Sequence, residues 1–193
     1  MRTGCQWKAL DATDLVPGST AHDRFQEWVE AGVFLKLWRL GVERFDELKG
    51  IDWEWLSMDG AIAKAPLGVE GANRHDMKLV RETIENIVVD RPEPTEEHPQ
   101  NVCLDKGYDY QEVRDILLEF GFTAHIRSRG EEAKEIAREA GKRARRWVVE
   151  RTHSWLNRFR RILIRWEKKA ENYIAFLHFA CALIALQAAG LFG

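Results

Sequence analysis

The chain has 193 residues, of which 45% are hydrophobic, and a formal net charge of −2. These values are ordinary for one globular domain, or for one domain with a small appendage. Three cysteines lie far apart in the sequence, which argues against a zinc site and favours reduced thiols. Because the N-terminus has no long apolar segment typical of a secretory signal, we expect a cytoplasmic protein.

The charges are distributed unevenly along the chain. Residues 1–124 contain 24 acidic and 14 basic residues, whereas residues 125–169 contain fifteen lysines and arginines against six acids. A basic segment of this kind is typical of a surface that contacts nucleic acid. Attraction between two parts of the same protein produces the same asymmetry, so the composition leaves both interpretations open.

Residues 1–50 are predicted to be helical. A cap at Gly18-Ser19-Thr20 precedes the first helix, Gly32 ends it, and a second helix continues to about Gly50. Two helices joined at a glycine are also the pattern of a helix-turn-helix. However, outward positions carry acids such as Glu27, which repel phosphate, and we therefore expect a hairpin that serves packing.

Three short strands are predicted in the central region. The apolar pattern changes to a period of two after Ile51, and this first strand ends at Asp59. A second strand ends at Asp105, and a third covers residues 122–126.

Helices are predicted between these strands. Asp76 is a natural N-cap for the first, and Asp109 with Glu112 has the spacing of a capping box for the second, which Gly121 ends. The alternation of strands and helices places this region in the α/β class.

The segment from Lys142 to Lys169 is predicted to be one amphipathic helix with a basic face around a single acid, Glu150. The ordinary interpretation of that acid is an ion pair with Arg146, worth a few tenths of a kcal/mol. The alternative is a metal-binding carboxylate where a polyanion docks, and periodicity alone favours the ion pair. The apolar stripe consists of Val148, Val149, Trp155, Leu156, Phe159, Ile162, Leu163 and Trp166.

The tail over residues 173–191 is mostly apolar, which raises the question of a membrane span. It reaches a spanning length only if His178 and Gln187 are included, so we expect a buried helix and no membrane.

Three carboxylates are the candidates for chemistry. Asp59 and Asp105 each follow a predicted strand, and ligands of open α/β sheets gather at the carboxyl ends of strands. Together with Glu150 they would form an oxygen-rich site for Mg²⁺ or Mn²⁺, with two ions about 3.5–4 Å apart in phosphoryl transfer. An aspartate after a strand is also common as a simple turn residue.

Six stretches spread along nearly the whole chain have the pattern of a known family: Arg2–Leu10, Leu56–Gly68, Gly71–Met77, Asn101–Tyr110, Ala144–Arg161 and His178–Leu186. They resemble the DDE transposases of bacterial insertion sequences, which share an RNase H-like core. The resemblance implies an RNase H-like mixed sheet with flanking helices, and a catalytic and metal-binding triad of Asp59, Asp105 and Glu150.

The resemblance also implies a function: metal-dependent cleavage of double-stranded DNA at transposon ends, then strand transfer to target DNA, by a homo-oligomer associated with the nucleoid. Arg146 matches a family arginine four residues before the glutamate, whereas Arg143 and Asn157 stand where the family tends to have tyrosine and lysine. The residues expected to contact DNA are Lys106, Arg143, Arg146, His153, Asn157, Arg158, Arg160 and Arg161.

One departure from the family bears on activity. Family members carry a long segment and a β-hairpin where this chain runs almost directly from Gly68 to Gly71, which implies that about two strands are missing near Gly68–Val69. We expect an N-terminal helical region over residues 1–50 and an incomplete catalytic core over residues 51–193. The alternative function is a catalytically inactive remnant that binds DNA or associates with full-length transposase.

Overall fold

The computed structural model describes residues 4–58, 79–126, 147–164 and 166–192, apart from the side chains of residues 147–151. Two compact units are formed: a helical unit, residues 1–50 with 154–193, and a sheet unit, residues 51–153. In chain order the elements are α1 (Gly18–Glu30), α2 (Val33–Lys49), β1 (Trp55–Ser57), α3 (Val80–Glu85), β2 (Gln100–Leu104), α4 (Gln111–Glu119), β3 (Phe122–Ile126), α5 (Trp147–Leu156), α6 (Arg160–Leu163) and α7 (Ala170–Ala188).

The first two helices of the helical unit follow the sequence prediction, except at their start. Gly32 separates them in a left-handed conformation with φ of +64°, which glycine adopts without strain. The predicted cap at residues 18–20 is wrong, because α1 already begins at Gly18. The backbone N–H of Gly18 donates instead to Asp11 Oδ1 at 2.6 Å, from a 3₁₀ turn over Trp7–Ala12.

Helix α7 is the central element of the helical unit. By length and composition it is long and apolar enough to cross a membrane. In the structure it packs against α1 and α2, with the ring of Phe176 stacked on Phe25 at 4.5 Å and His178 stacked on Trp38 at 5.2 Å. These contacts explain its apolar composition by burial between helices of the same unit.

The predicted amphipathic helix over residues 142–169 is wrong in its second half. Helix α5 ends at Leu156, Phe159 has an extended backbone, and a single turn, α6, precedes the separate helix α7. This break buries Leu156, Phe159 and Ile162 together in the helical unit, and the hydroxyl of Tyr173 donates to the carbonyl of Ile162 at 3.3 Å. Leu163 and Trp166, which one straight helix would place on the buried stripe, are exposed.

The sheet unit contains a three-stranded parallel sheet in the order β1-β2-β3. Ser57 lies opposite Cys103, and Cys103 lies opposite His125, so the carboxyl ends of the strands are in register. The predicted α/β class is therefore confirmed. The described strands are all parallel, however, and not mixed as expected, since α3 and α4 provide the crossover connections that parallel neighbours require.

Helices α3 and α4 cover the sheet with one apolar cluster. Gly121, with φ of +74°, follows the end of α4 and directly precedes β3, as predicted. The buried members of the cluster are Val80, Ile84, Val102, Leu104, Tyr108, Val113, Leu117, Phe122 and Ile126.

The compact units and the predicted domains group the chain differently. Residues 154–193 pack with the N-terminal helices, whereas the sequence prediction assigns them to the catalytic core. Because contacts do not define where a family domain begins and ends, the boundaries 1–50 and 51–193 stay a prediction. The predicted cap Asp76 and the gap near Gly68–Val69 lie outside the described residues.

Candidate active site

Asp105 stands directly after β2, at the carboxyl end of the sheet. Its backbone is extended, and its side-chain Oδ1 accepts a hydrogen bond from the backbone N–H of Gly107 at 2.8 Å. This bond caps the 3₁₀ turn Lys106–Tyr108, and Tyr108 is buried beneath it in the core of the sheet unit. The carboxylate is thus fixed by the local fold, and it is partly accessible to solvent.

Gly107 is a residue that the sequence prediction missed. A Cβ at this position would lie 2.9 Å from Asp105 Oδ1, so any larger residue would press on the carboxylate. The signal was present in the sequence, because an aspartate whose side chain bonds the backbone two residues later is a common turn.

The end of β1 lies beside the end of β2. The backbone N–H of Met58 donates to the carbonyl of Cys103 at 3.0 Å, which continues the pairing one residue beyond Ser57. Asp59 itself lies outside the described residues.

The third carboxylate is described only through its backbone. Glu150 lies within α5, and its side chain is outside the described part, as are Arg143 and Arg146 altogether. Among the side chains that the structure describes, no group of three His, Cys, Asp or Glu residues is suited to hold a metal ion. Convergence of Asp59, Asp105 and Glu150 therefore stays a prediction.

Asp105 by itself fits the role of a ligand for a hard divalent cation. Carboxylate oxygens at the end of a parallel strand are the donors that Mg²⁺ prefers, and the bond from Gly107 orients this one.

Lys106, the residue after Asp105, already forms an ion pair with another acid. Its ammonium pairs with Asp109, which also accepts from Arg114 Nη2 at 2.6 Å. Hydrogen bonds from Lys106 and Arg114 lower the pKa of Asp109 below its usual value. The predicted capping box is wrong for the same reason, since Asp109 is occupied by these cations and α4 is preceded by Tyr110.

The remaining candidates for DNA contact that the structure describes lie in α5 and directly after it. Asn157, Arg158 and Arg160 are exposed, and His153 is half-buried. A guanidinium at an exposed position is available to a phosphate at little desolvation cost.

Arg161 differs from the prediction, because it is buried. Its guanidinium pairs with Glu167, donates to the carbonyl of Cys5, and lies 5.1 Å from the ring centroids of Trp7 and Phe176. These contacts occupy the group in packing the helical unit, so we do not retain Arg161 among the phosphate contacts. A six-residue separation from Glu167 matches no helical pairing, and no pattern in the sequence indicates it.

Comparisons with known proteins agree with the sequence patterns at both ends of the chain. Residues 102–187 match a family described as the transposase DDE domain, and residues 1–38 match a family described as a putative transposase of the IS4/5 family. No solved structure matches the chain.

One curated relative is the putative transposase for insertion sequence element IS402 from Burkholderia cepacia. It is 41% identical to this chain over 88 residues, which are 46% of this chain and 39% of the relative. The chain thus spans about two fifths of the length of that relative. Together these matches confirm that the chain is related to the DDE transposases of insertion sequences.

Proposed function

We propose that this chain acts on DNA as a transposase: divalent-metal-dependent cleavage at the ends of an insertion sequence, followed by strand transfer to target DNA. The core is proposed to be RNase H-like, and the protein is proposed to work in the cytoplasm at the nucleoid. Asp59, Asp105 and Glu150 are the proposed metal ligands and catalytic residues.

The register of β1 and β2 is the observation that carries this proposal. Ser57 pairs with Cys103, and Asp59 and Asp105 each follow two residues after this pair in the sequence. The bond from Met58 to Cys103 supports continued pairing toward the acids. Adjacent parallel strands end at the same edge, so this register favours two carboxylates side by side.

The acidic residues of the proposed site would hold the metal ion, and the basic and polar residues would hold the DNA phosphates. A bound Mg²⁺ or Mn²⁺ supplies a nucleophile at neutral pH and stabilises the leaving oxygen of an in-line displacement. Asp105, whose Oδ1 accepts a hydrogen bond from Gly107, would offer its second carboxylate oxygen to that metal ion. Lys106, Arg143, Arg146, His153, Asn157, Arg158 and Arg160 are the proposed phosphate contacts.

A strand-cleavage assay tests the catalytic part. DNA that carries the terminal repeats of the chain's own element is incubated with Mg²⁺ or Mn²⁺ and the purified full chain. We expect nicking that Asp105→Asn and Glu150→Gln each reduce by at least about 10²-fold. Asparagine keeps an oxygen that accepts from Gly107, so Asp105→Asn should fold normally. Asp115→Asn, an acid on α4 away from the sheet edge, is the matched control.

A binding assay tests the phosphate contacts separately. Arg158→Gln with Arg160→Gln should weaken binding to duplex DNA and lower the slope of log K against log salt by up to about 1.8, at about 0.9 for each phosphate interaction removed. Arg24→Gln with Arg44→Gln removes the same charge from exposed positions on α1 and α2 and should leave that slope unchanged.

The second candidate function is an inactive remnant that binds DNA, and the short run from Gly68 to Gly71, where the family carries a long segment, favours it. Salt-dependent DNA binding without nicking by the wild-type chain would establish it. Nicking that persists in both acid variants would instead remove the triad from the proposal.

A further inference from the structure

A pocket of about 400 Å³ lies within the helical unit, between the N-terminal residues, α1 and the amino end of α7. This volume is in the range of sites that bind small molecules. All of the described residues that line it belong to the helical unit, and none of them is a carboxylate proposed for catalysis. The pocket is therefore separate from the candidate active site.

A buried amide group supplies a hydrogen-bond donor to this pocket. Asn172 lines the pocket from the first turn of α7 and is only 5% exposed. Its Oδ1 accepts from Gln26 Nε2 at 3.0 Å, which fixes the orientation of the amide. Its Nδ2 has no hydrogen-bond partner among the described residues, and it is not one of the polar atoms there that are sealed from solvent without a partner. A ligand with an acceptor would satisfy this donor.

Gln26 and Trp166 add the features that suit an aromatic ligand. Because Gln26 uses its Nε2 to bind Asn172, its Oε1 is left as an acceptor close to the Asn172 donor. A donor and an acceptor side by side match the edge of a nucleobase. Trp166 lines the same pocket and is 58% exposed, and an accessible tryptophan ring stacks on the face of any base.

The residues that line the pocket carry a net positive charge. Lys168 and Lys169 are exposed and directly precede α7, whose first N–H groups receive no side-chain cap. Glu167 is the one acid among the described lining residues, and it is neutralised by Arg161. Glu171, in the first turn of α7, does not line the pocket. Two lysines beside a helix N-terminus favour a phosphate or another anion.

We propose that this pocket binds one nucleotide. Trp166 stacks on the base, the amides of Gln26 and Asn172 bond its edge, and Lys168 with Lys169 holds its phosphate. A free nucleoside monophosphate and an unpaired nucleotide of a DNA strand both offer this chemistry. The inference does not rest on the proposed metal chemistry, because it uses none of the residues assigned to it.

Isothermal titration calorimetry with adenosine monophosphate (AMP) tests the stacking contact. The full chain is titrated in EDTA at low salt, so that a failure of the metal-dependent reaction does not affect the result. Trp166→Ala should weaken binding at least about tenfold, since it removes the stacking surface from an exposed position. Trp28→Ala, at an exposed tryptophan of α1 that does not line the pocket, should change the affinity less than about twofold.

A pair of lysine variants tests the phosphate contact. Lys168→Gln with Lys169→Gln should weaken AMP binding at least about fivefold and reduce its dependence on salt. Lys36→Gln with Lys49→Gln removes the same charge from exposed positions of α2 outside the pocket and should leave both unchanged.

Two further titrations test recognition of the base. Ribose phosphate, which lacks the base, should bind at least about tenfold more weakly than AMP. Asn172→Asp replaces the Nδ2 donor with an oxygen and retains an acceptor for Gln26, so it should also weaken AMP binding, with circular dichroism as the check on folding.

Competition between AMP and DNA separates the two sources of the nucleotide. If AMP displaces a labelled duplex with one unpaired terminal nucleotide but not a blunt duplex, the natural ligand is a nucleotide of the DNA strand. If AMP binds and displaces neither duplex, the ligand is a free nucleotide. Absence of AMP binding, equal affinities of Trp166→Ala and Trp28→Ala, or equal binding of ribose phosphate and AMP would each overturn the proposal.

Discussion

Arg161 and Glu167 form an ion pair in which each side chain is only 9% exposed. Two nitrogens of the guanidinium, Nε at 2.9 Å and Nη2, share one carboxylate oxygen of Glu167. The third nitrogen donates to the carbonyl of Cys5, so one arginine connects the N-terminal residues to the segment before α7. A buried charge with this many partners is satisfied only as long as all of them remain in place.

Replacing Glu167 should therefore destabilise the helical unit strongly. Glu167→Ala leaves the guanidinium buried without its counter-ion, and we expect a loss of about 3–5 kcal/mol in the free energy of unfolding. Urea titration followed by circular dichroism measures it. Lys168→Ala, at the exposed neighbouring position, should change stability by less than about 0.5 kcal/mol. If Glu167→Ala lowered the free energy of unfolding no more than Lys168→Ala does, the ion pair would contribute nothing to stability.

Gly18 should tolerate no larger side chain. A Cβ at this position would lie 2.2 Å from the carbonyl oxygen of Trp7, a backbone atom that cannot rotate away. Gly18→Ala should lower stability by about 1–3 kcal/mol despite the higher helix propensity of alanine. Ser19→Ala, the next and exposed residue, is the control. An unchanged midpoint of thermal unfolding for Gly18→Ala would contradict this close approach.

Gly107 offers a way to move the Asp105 carboxylate without removing it. In Gly107→Ala the new Cβ would lie 2.9 Å from Asp105 Oδ1, the end of a side chain that is able to shift. We expect the thermal midpoint to change little, whereas the rate of DNA nicking should fall about tenfold or more, because catalytic groups require close placement. Ser154→Ala, at an exposed position of α5, is the control. Full nicking activity in Gly107→Ala would argue against Asp105 as a catalytic group.

The ion pair between Arg81 of α3 and Glu119 of α4 should make the stability of the sheet unit depend on pH in the acidic range. Nη1 of Arg81 donates to Glu119 Oε1 at 2.8 Å, and this hydrogen bond lowers the pKa of the Glu119 carboxyl below its usual value. A carboxyl with a lowered pKa in the folded state stabilises the fold above the pKa of the unfolded chain. This stabilisation is lost as the pH falls through the folded-state pKa.

Carbon-13 NMR of the Glu119 carboxyl measures this titration directly. The midpoint should lie below the ordinary value of 4.5 in the wild type and return toward it in Arg81→Gln. High salt should reduce the difference, because both side chains are exposed. Equal midpoints in the two proteins would mean that the pair does not persist in solution.

The parts of the fold that local chemistry dictates could be predicted from the sequence. The apolar run after Gly121 indicated β3 over residues 122–126, and Gly32 separated the two N-terminal helices where expected. Both signals concern a residue and its immediate neighbours, where backbone propensity decides the outcome.

The missed features depend on partners that lie far away in the sequence. Arg161 carried the pattern of an exposed basic face, but its surroundings come from Cys5, Trp7 and Glu167. Periodicity likewise predicted one long helix, because it reflects only the spacing of apolar residues along the sequence. It contains no information that Phe159 becomes buried when the chain bends at this residue. The bond from Gly107 to Asp105 is the exception among the missed features, because it is local and an aspartate turn is a pattern that the sequence already offered.

The pairing of α2 with α7 has a consequence for biosynthesis. Gly41 brings the two helices so close that an added Cβ would be 3.3 Å from the carbonyl oxygen of Ala182, a residue far later in the chain. While the ribosome is still translating, α1 and α2 emerge long before the surface they are to cover exists. The sheet unit, residues 51–153, is translated completely before α7 begins at Ala170. Nascent α2 thus has an uncovered apolar side during most of translation, a period in which a chaperone would find it accessible.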